Sequence, residues 1–216
     1  MGSLRLYAIA INEVRDIFSA PEETATALRA IAADRFAESP PASTGLLSRL
    51  GPVFRRAPDA PVIRPGVPSG SDVDALLTGR HVPPHRLAAC WTLVEAWLEA
   101  MAWASLAQDF TETGMNDFDF DLVRAGVPSR FGLSDLLKTD LGIALMACPG
   151  LAAGYVRFDH AVAMGSQWRP VIDGLTADNR PVAQRILDWL DGYPAWGEAA
   201  PSRHRTPPDL VAVLRA

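Results

Sequence analysis

The pattern of hydrophobic and polar positions predicts a strand near each end of the chain. The segment Leu4–Ile11 is rich in β-forming residues, and its apolar side chains alternate until both faces become apolar. The segment Asp209–Leu214 follows two prolines and is rich in valine and leucine, which also indicates a strand. We expect the two strands to pair and to tie the ends of the chain into one small sheet.

Between these strands the apolar period is mostly helical. Apolar residues after the first strand recur in two groups: Val14, Ile17 and Phe18, then Leu28, Ile31 and Phe36. Pro21 lies between the groups, where proline favours a helix start, so two helices are predicted. Further patterns predict helices over 72–77, 133–147 and 181–190 and a strand over 153–162.

The longest apolar stretch, Leu87–Ala107, predicts a buried helix that is apolar nearly all round. It has the length of a membrane span, but Glu95 and Glu99 occupy its centre. Each charge near the middle of a bilayer costs about 3 kcal/mol, so we interpret the stretch as the central helix of a soluble domain.

The segment 39–71 contains seven prolines and four glycines, which predicts an irregular wrap over the core instead of regular structure. Together these patterns predict one domain over residues 1–216, α+β in class and predominantly helical. Its expected core is the buried helix, and its expected sheet includes the N- and C-terminal strands.

The charge of the chain is concentrated in one segment. Of 216 residues, 25 are acidic and 20 basic, and five acidic residues with no basic one lie between 109 and 121. The remainder therefore carries twenty charges of each sign and is neutral. The balance argues against nucleic acid and anionic membranes as partners, because both require a positive surface.

The acidic segment is the main candidate site, and its members are Asp109, Glu112, Asp117, Asp119 and Asp121. One interpretation is a helix that begins near residue 116 and whose acidic side chains complement its N-terminal end. Another is a surface that docks a basic protein. A calcium loop is the third, but its spacing fails, because the positions that need glycine and glutamate hold Leu122 and Pro128.

Other pairs of reactive residues have ordinary explanations. Glu95 and Glu99 are one helical turn apart and are expected to form a wet stripe or to pair with arginines. His81 and His85 have a metal-ligand spacing, but two prolines between them prevent a helical turn. His160 follows Asp159 in the predicted strand, where neighbouring side chains point to opposite faces.

The sequence lacks the motifs of common enzyme classes. We find no nucleophile elbow and no phosphate-binding loop, and we expect no catalytic residue, metal or cofactor. The basic residues of the proline-rich segment are interpreted as solvated: Arg49, Arg55, Arg56 and Arg64. Cys90 and Cys148 are expected to be free buried thiols, and the first twelve residues do not form a signal peptide, so the expected location is the cytoplasm.

Two stretches carry a resemblance to known sequences. They are Leu6–Ala20 (LYAIAINEVRDIFSA), and Asp74–Arg80 (DALLTGR) followed by Cys90–Leu98 (CWTLVEAWL). Both resemble small uncharacterised actinobacterial proteins with a domain of unknown function. The resemblance covers about a fifth of the chain and implies no functional residue, since no motif of the group has an assigned role.

Three interpretations of function follow. The first is a non-catalytic protein-binding module, immunity- or antitoxin-like, that docks a basic partner through the acidic segment. The alternative is a small-ligand-binding protein or enzyme with a pocket beneath the proline-rich segment; a cavity with convergent polar side chains would favour it. A homodimer is the third, because six tryptophans are many for one interior of this size.

Overall fold

The computed structural model describes residues 2–36, 66–110 and 114–216. Its helices are α1 (Ile11–Asp16), α2 (Glu22–Arg35), α3 (Gly70–Leu77), α4 (Leu87–Met101), α5 (Gly114–Arg124), α6 (Phe158–Trp168), α7 (Asn179–Leu190) and α8 (Tyr193–Ala199). Its strands are β1 (Gly2–Ala8), β2 (Ser105–Phe110), β3 (Leu151–Val156) and β4 (Leu210–Arg215). The fold is α+β, as the sequence predicts. Residues 37–65, which contain most of the proline-rich wrap predicted over 39–71, lie outside the described residues.

The four strands form one antiparallel sheet in the order β2-β1-β4-β3. The terminal strands are its two central members, with Leu6 opposite Ala212 and Tyr7 opposite Val211. The predicted pairing of the two ends of the chain is therefore confirmed. Because side chains alternate along a strand, each strand contributes to both faces of the sheet.

Helices cover both faces of this sheet. On the first face, Tyr7, Val211 and Val213 join a core with α1, α2, α3 and α4. On the second face, Leu6 and Ala212 join a separate core with α5, α6, α7 and α8. The sheet is thus the middle of three layers, and a residue's position along a strand decides which core it enters.

Helix α4 is the buried helix that the sequence predicts, but it is shorter than the predicted 87–107. It ends at Met101, and Ala102 has an extended backbone. Trp103 N donates a hydrogen bond to Ala8 O, and Ala8 N donates one to Ala104 O. These bonds draw the chain into the sheet, where residues 105–110 form β2 instead of the last helical turns.

Two predicted elements of the second half are wrong in extent. The predicted helix 133–147 is a single 3₁₀ turn, Ser134–Leu137, followed by irregular chain. The predicted strand 153–162 divides into β3 and the start of α6. That helix begins where it does because the Asp209 carboxylate accepts a hydrogen bond from Phe158 N, at 3.1 Å. His160 therefore lies on a helix instead of a strand.

The predicted helices near 72–77 and 181–190 are confirmed as α3 and α7. Helix α3 begins with a capping box between Ser69 and Asp72. Among the helices of residues 2–36, 66–110 and 114–216, none combines the length and apolar character that crossing a bilayer requires.

Candidate functional site

The sheet separates the acidic residues that the sequence groups together. Phe110 packs against Phe118 on the second face, with ring centroids 5.9 Å apart. Asp109 precedes Phe110 on β2 and therefore lies on the first face, exposed and opposite Ser3. Glu112 is outside the described residues. Asp109 is thus separated by the sheet from the predicted site residues on α5, and the predicted set does not form a single surface.

Asp121 is buried inside the molecule. Its carboxylate accepts hydrogen bonds from Thr176 N at 2.9 Å, Thr176 Oγ1 at 2.6 Å, Asn179 Nδ2 at 3.0 Å and an Arg124 guanidinium nitrogen at 2.5 Å. Burial by itself raises the pKa of Asp121, but these hydrogen bonds outweigh it and lower the pKa to about 2. The charged carboxylate holds the chain before α7 against α5.

Asp119 has a second internal role. Its two carboxylate oxygens accept hydrogen bonds from Leu133 N at 2.6 Å and Ser134 N at 2.8 Å. Gly132 fits beside them because an added Cβ there would lie 2.9 Å from the Asp119 carboxyl group. Asp119 therefore fixes the 3₁₀ turn that replaces the predicted helix over 133–147.

The exposed face of α5 carries Asp117, Phe120 and Val123, with Asn116 and Arg124 at its two ends. Phe118 and Leu122, on the opposite side of the helix, are buried in the second core. Phe120 is 70% exposed and Val123 47% exposed. The described residues provide no hydrogen bond or ion pair for the Asp117 carboxylate. An unpaired acid thus stands beside two apolar side chains in water.

A groove with charged walls lies on the first face of the sheet. It is bounded by α2, α4 and the central strands, has a volume of about 390 Å³, and is lined by Arg5, Arg35, Phe36, Thr92, Glu95, Ala96, Glu99 and Arg215. Phe36 is the last described residue before 37–65. The groove is concave and carries convergent polar side chains, but none of its described lining residues belongs to the proline-rich segment, so the predicted pocket beneath that segment stays a prediction.

Glu95 lies at the centre of this groove, and its side chain is only 5% exposed. It accepts a hydrogen bond from Arg215 Nε at 2.6 Å, and its second oxygen is 3.6 Å from Arg5 Nε. At the edge, Glu99 accepts a hydrogen bond from Arg35 at 2.7 Å. Of the two predicted alternatives, a wet stripe or pairing with arginines, the structure has the pairing.

The Tyr7 hydroxyl is buried next to this cluster. It makes no hydrogen bond of normal geometry to a described residue. Burial raises the pKa of Tyr7 far above its usual value, and the negative charge of Glu95 adds to the effect. Tyr7 is therefore neutral at physiological pH and serves as a packing residue below the groove.

The chain stands apart from known proteins in sequence and in structure. No family model, curated protein or solved structure matches it.

The remaining histidines and cysteines of the described ranges lie apart from the groove. His81 and His85 are both exposed, and within the described ranges no three potential ligands form a metal-binding group. His160 Nε2 is 3.0 Å from the Arg130 carbonyl oxygen. Cys90 is a buried free thiol whose pKa is raised to about 12, mainly by burial, so it is not a nucleophile at neutral pH.

The hydrophobic pattern of the sequence does not single out the arginines of the groove. Arg5 and Arg215 are charged residues within otherwise apolar strands, and their positions share the face that carries Tyr7 and Val213. A charge on the inner face of a strand is the signal that could have identified them. Arg35 offers no such signal, because a basic residue in the last turn of a helix is common.

Proposed function

We propose that this protein is a non-catalytic protein-binding module whose docking surface is the exposed face of α5. The observation that carries the proposal is the exposure of Phe120 in the middle of that face, with Val123 beside it. Burying an aliphatic or aromatic side chain of this kind contributes about 1.5–3 kcal/mol, so water is an unfavourable environment for both. A helix that presents such side chains typically lies in a groove of its partner.

The proposed partner carries basic groups beside an apolar groove. On the exposed face of α5, the positive charge of Arg124 is neutralised by Asp121, whereas Asp117 has no partner among the described residues. The face is therefore net negative, which favours a basic protein over nucleic acid or a membrane. This is the interaction of an immunity or antitoxin-like protein, with Asp117 as the acid that contacts the partner.

The proposed compartment is the cytoplasm. Cys90 and Cys148 are both free thiols, which is the usual state of cysteines in that compartment.

An affinity capture with paired variants tests the docking surface. Phe120→Ser removes the apolar anchor, whereas Met146→Ser removes an equally exposed side chain, 65% against 70%, at a different site. We expect wild type and Met146→Ser to capture the same basic protein from cells of the source organism, and Phe120→Ser to lose it. With that protein purified, Asp117→Asn should slow association and reduce its dependence on salt.

Two outcomes of this capture contradict the proposal. One is a basic protein that Phe120→Ser retains as well as wild type does. The other is a wild-type chain that self-associates through α5, seen as a dimer by light scattering that Phe120→Ser converts to a monomer.

A further inference from the structure

We infer that the groove on the first face binds a small organic carboxylate with an apolar body. The observations that carry this inference are independent of the docking surface, because α5 packs against the second face of the sheet. Helices α2 and α4 and strands β1 and β4 provide the walls of the groove. A volume of about 390 Å³ is within the range of pockets that hold small ligands.

The charges that line the groove leave one guanidinium in excess. Three arginines face two glutamates among the described lining residues. Glu95 is engaged by two nitrogens of Arg215, and Glu99 is engaged by Arg35. Arg5 lies 3.6 Å from Glu95, whose closer partner is Arg215, and its other near neighbour is the neutral hydroxyl of Tyr7. The surplus positive charge is therefore at Arg5, whose side chain is 45% exposed and accessible to a ligand.

A guanidinium group favours a carboxylate for geometric reasons. Its planar fork of N–H donors matches the two oxygens of a carboxylate and can bind both at once. The single surplus charge also matches a monoanion better than a phosphate group, which carries a charge of about −1.5 to −2 at neutral pH. The head group of the ligand is thus assigned to Arg5.

The rest of the groove selects the body of the ligand. Phe36 and Ala96 contribute apolar surface next to the charged residues. Thr92 has little free capacity, because its hydroxyl donates to Ala88 O at 3.0 Å and accepts from Arg215 at 3.3 Å. A ligand with a ring or short alkyl chain attached to its carboxylate fits this surface, and benzoate is the simplest probe of that class.

Isothermal titration of the full chain with sodium benzoate tests the inference, with chloride as the background anion. We expect benzoate to bind wild type, and Arg5→Gln to weaken its binding at least tenfold. Arg169→Gln is the matched control, because Arg169 is 58% exposed, follows α6 and does not line the groove, so this variant should bind as wild type does. Circular dichroism shows whether each variant is folded.

A second variant separates a binding role from a purely structural one. Glu99→Gln removes a carboxylate that competes with benzoate for Arg35, and the groove gains net positive charge. Benzoate should therefore bind this variant at least twofold more tightly than wild type. Opposite effects at Arg5 and Glu99 support the inference, since loss of structure would weaken binding in both variants. No detectable benzoate binding, equal binding by Arg5→Gln, or binding of inorganic phosphate alone would overturn it.

Discussion

Asp121 is predicted from the sequence as an acid of a docking surface, but in the structure it is buried and holds two parts of the chain together. The run from Asp117 to Asp121 alternates acidic and aromatic residues, and nothing in that pattern tells which acids face the interior. Helical geometry distributes them: Asp117 faces water, Asp119 binds two backbone amides, and Asp121 is buried beneath Thr176. Of the partners of Asp121, Thr176 and Asn179 lie 55 and 58 residues further along the chain, so sequence patterns could not reveal them.

Asp121→Asn should destabilise the protein by about 2–4 kcal/mol at pH 7, because the charged acceptor of several hydrogen bonds is lost. A pKa lowered from 3.8 to about 2 corresponds to about 2 kcal/mol of stability. That contribution is complete above pH 3.8 and is lost as the pH falls towards 2. The difference in free energy of unfolding between wild type and Asp121→Asn should therefore shrink by about 2 kcal/mol as the pH falls from 3.8 to about 2.

Urea unfolding at a series of pH values measures this difference. Asp117→Asn is the control and should leave stability within about 0.5 kcal/mol of wild type at every pH, since its carboxylate has no described partner. An Asp121→Asn protein whose free energy of unfolding at pH 7 equals that of wild type would show that the buried hydrogen bonds contribute little.

The elements that were predicted well are those whose pattern is local. The terminal strands, α3 and α7 are specified by alternation, by a capping box or by helical spacing within each segment. The elements predicted wrongly are decided by distant partners. Residues 105–110 follow an apolar helix in sequence but pair with β1, and the segment after Leu133 is held by Asp119. Long-range hydrogen bonds of this kind override local propensity.

Asp209 makes long-range hydrogen bonds to the beginnings of two helices, and their contribution to stability can be tested. Its carboxylate accepts hydrogen bonds from Ile11 N at 2.9 Å and Phe158 N at 3.1 Å, and so caps the first turns of both α1 and α6. Asp209→Ala should cost about 2–3 kcal/mol, the sum of two lost caps of about 1 kcal/mol each and some burial of unpaired amides.

Asp178→Ala is the matched control for this prediction. Asp178 is at the N-cap of α7 but makes no capping hydrogen bond with its side chain, so its removal should change stability by less than about 0.5 kcal/mol. Thermal or urea unfolding of the two variants provides the comparison. Equal stability of Asp209→Ala and wild type would mean that the two helix starts do not depend on this carboxylate.

At the scale of the whole molecule, the sheet determines which sites can act together. The segment 109–121 carries the entire net charge of −5, but the change from β2 to α5 places Asp109 on the first face and Asp117 on the far side. The groove and the exposed face of α5 are consequently separate surfaces. The sequence identified the acidic segment and the paired glutamates, but the separation depends on strand register, which the composition of the chain does not specify.

The proposed docking surface can be tested directly by photo-crosslinking from position 120. A photoreactive phenylalanine analogue replaces Phe120 in one variant and Met146 in the other, and both are expressed in cells of the source organism. The account predicts a crosslink from position 120 to one basic protein, and none to that protein from position 146. The same crosslinks from both positions, or none to a basic protein from position 120, would contradict it.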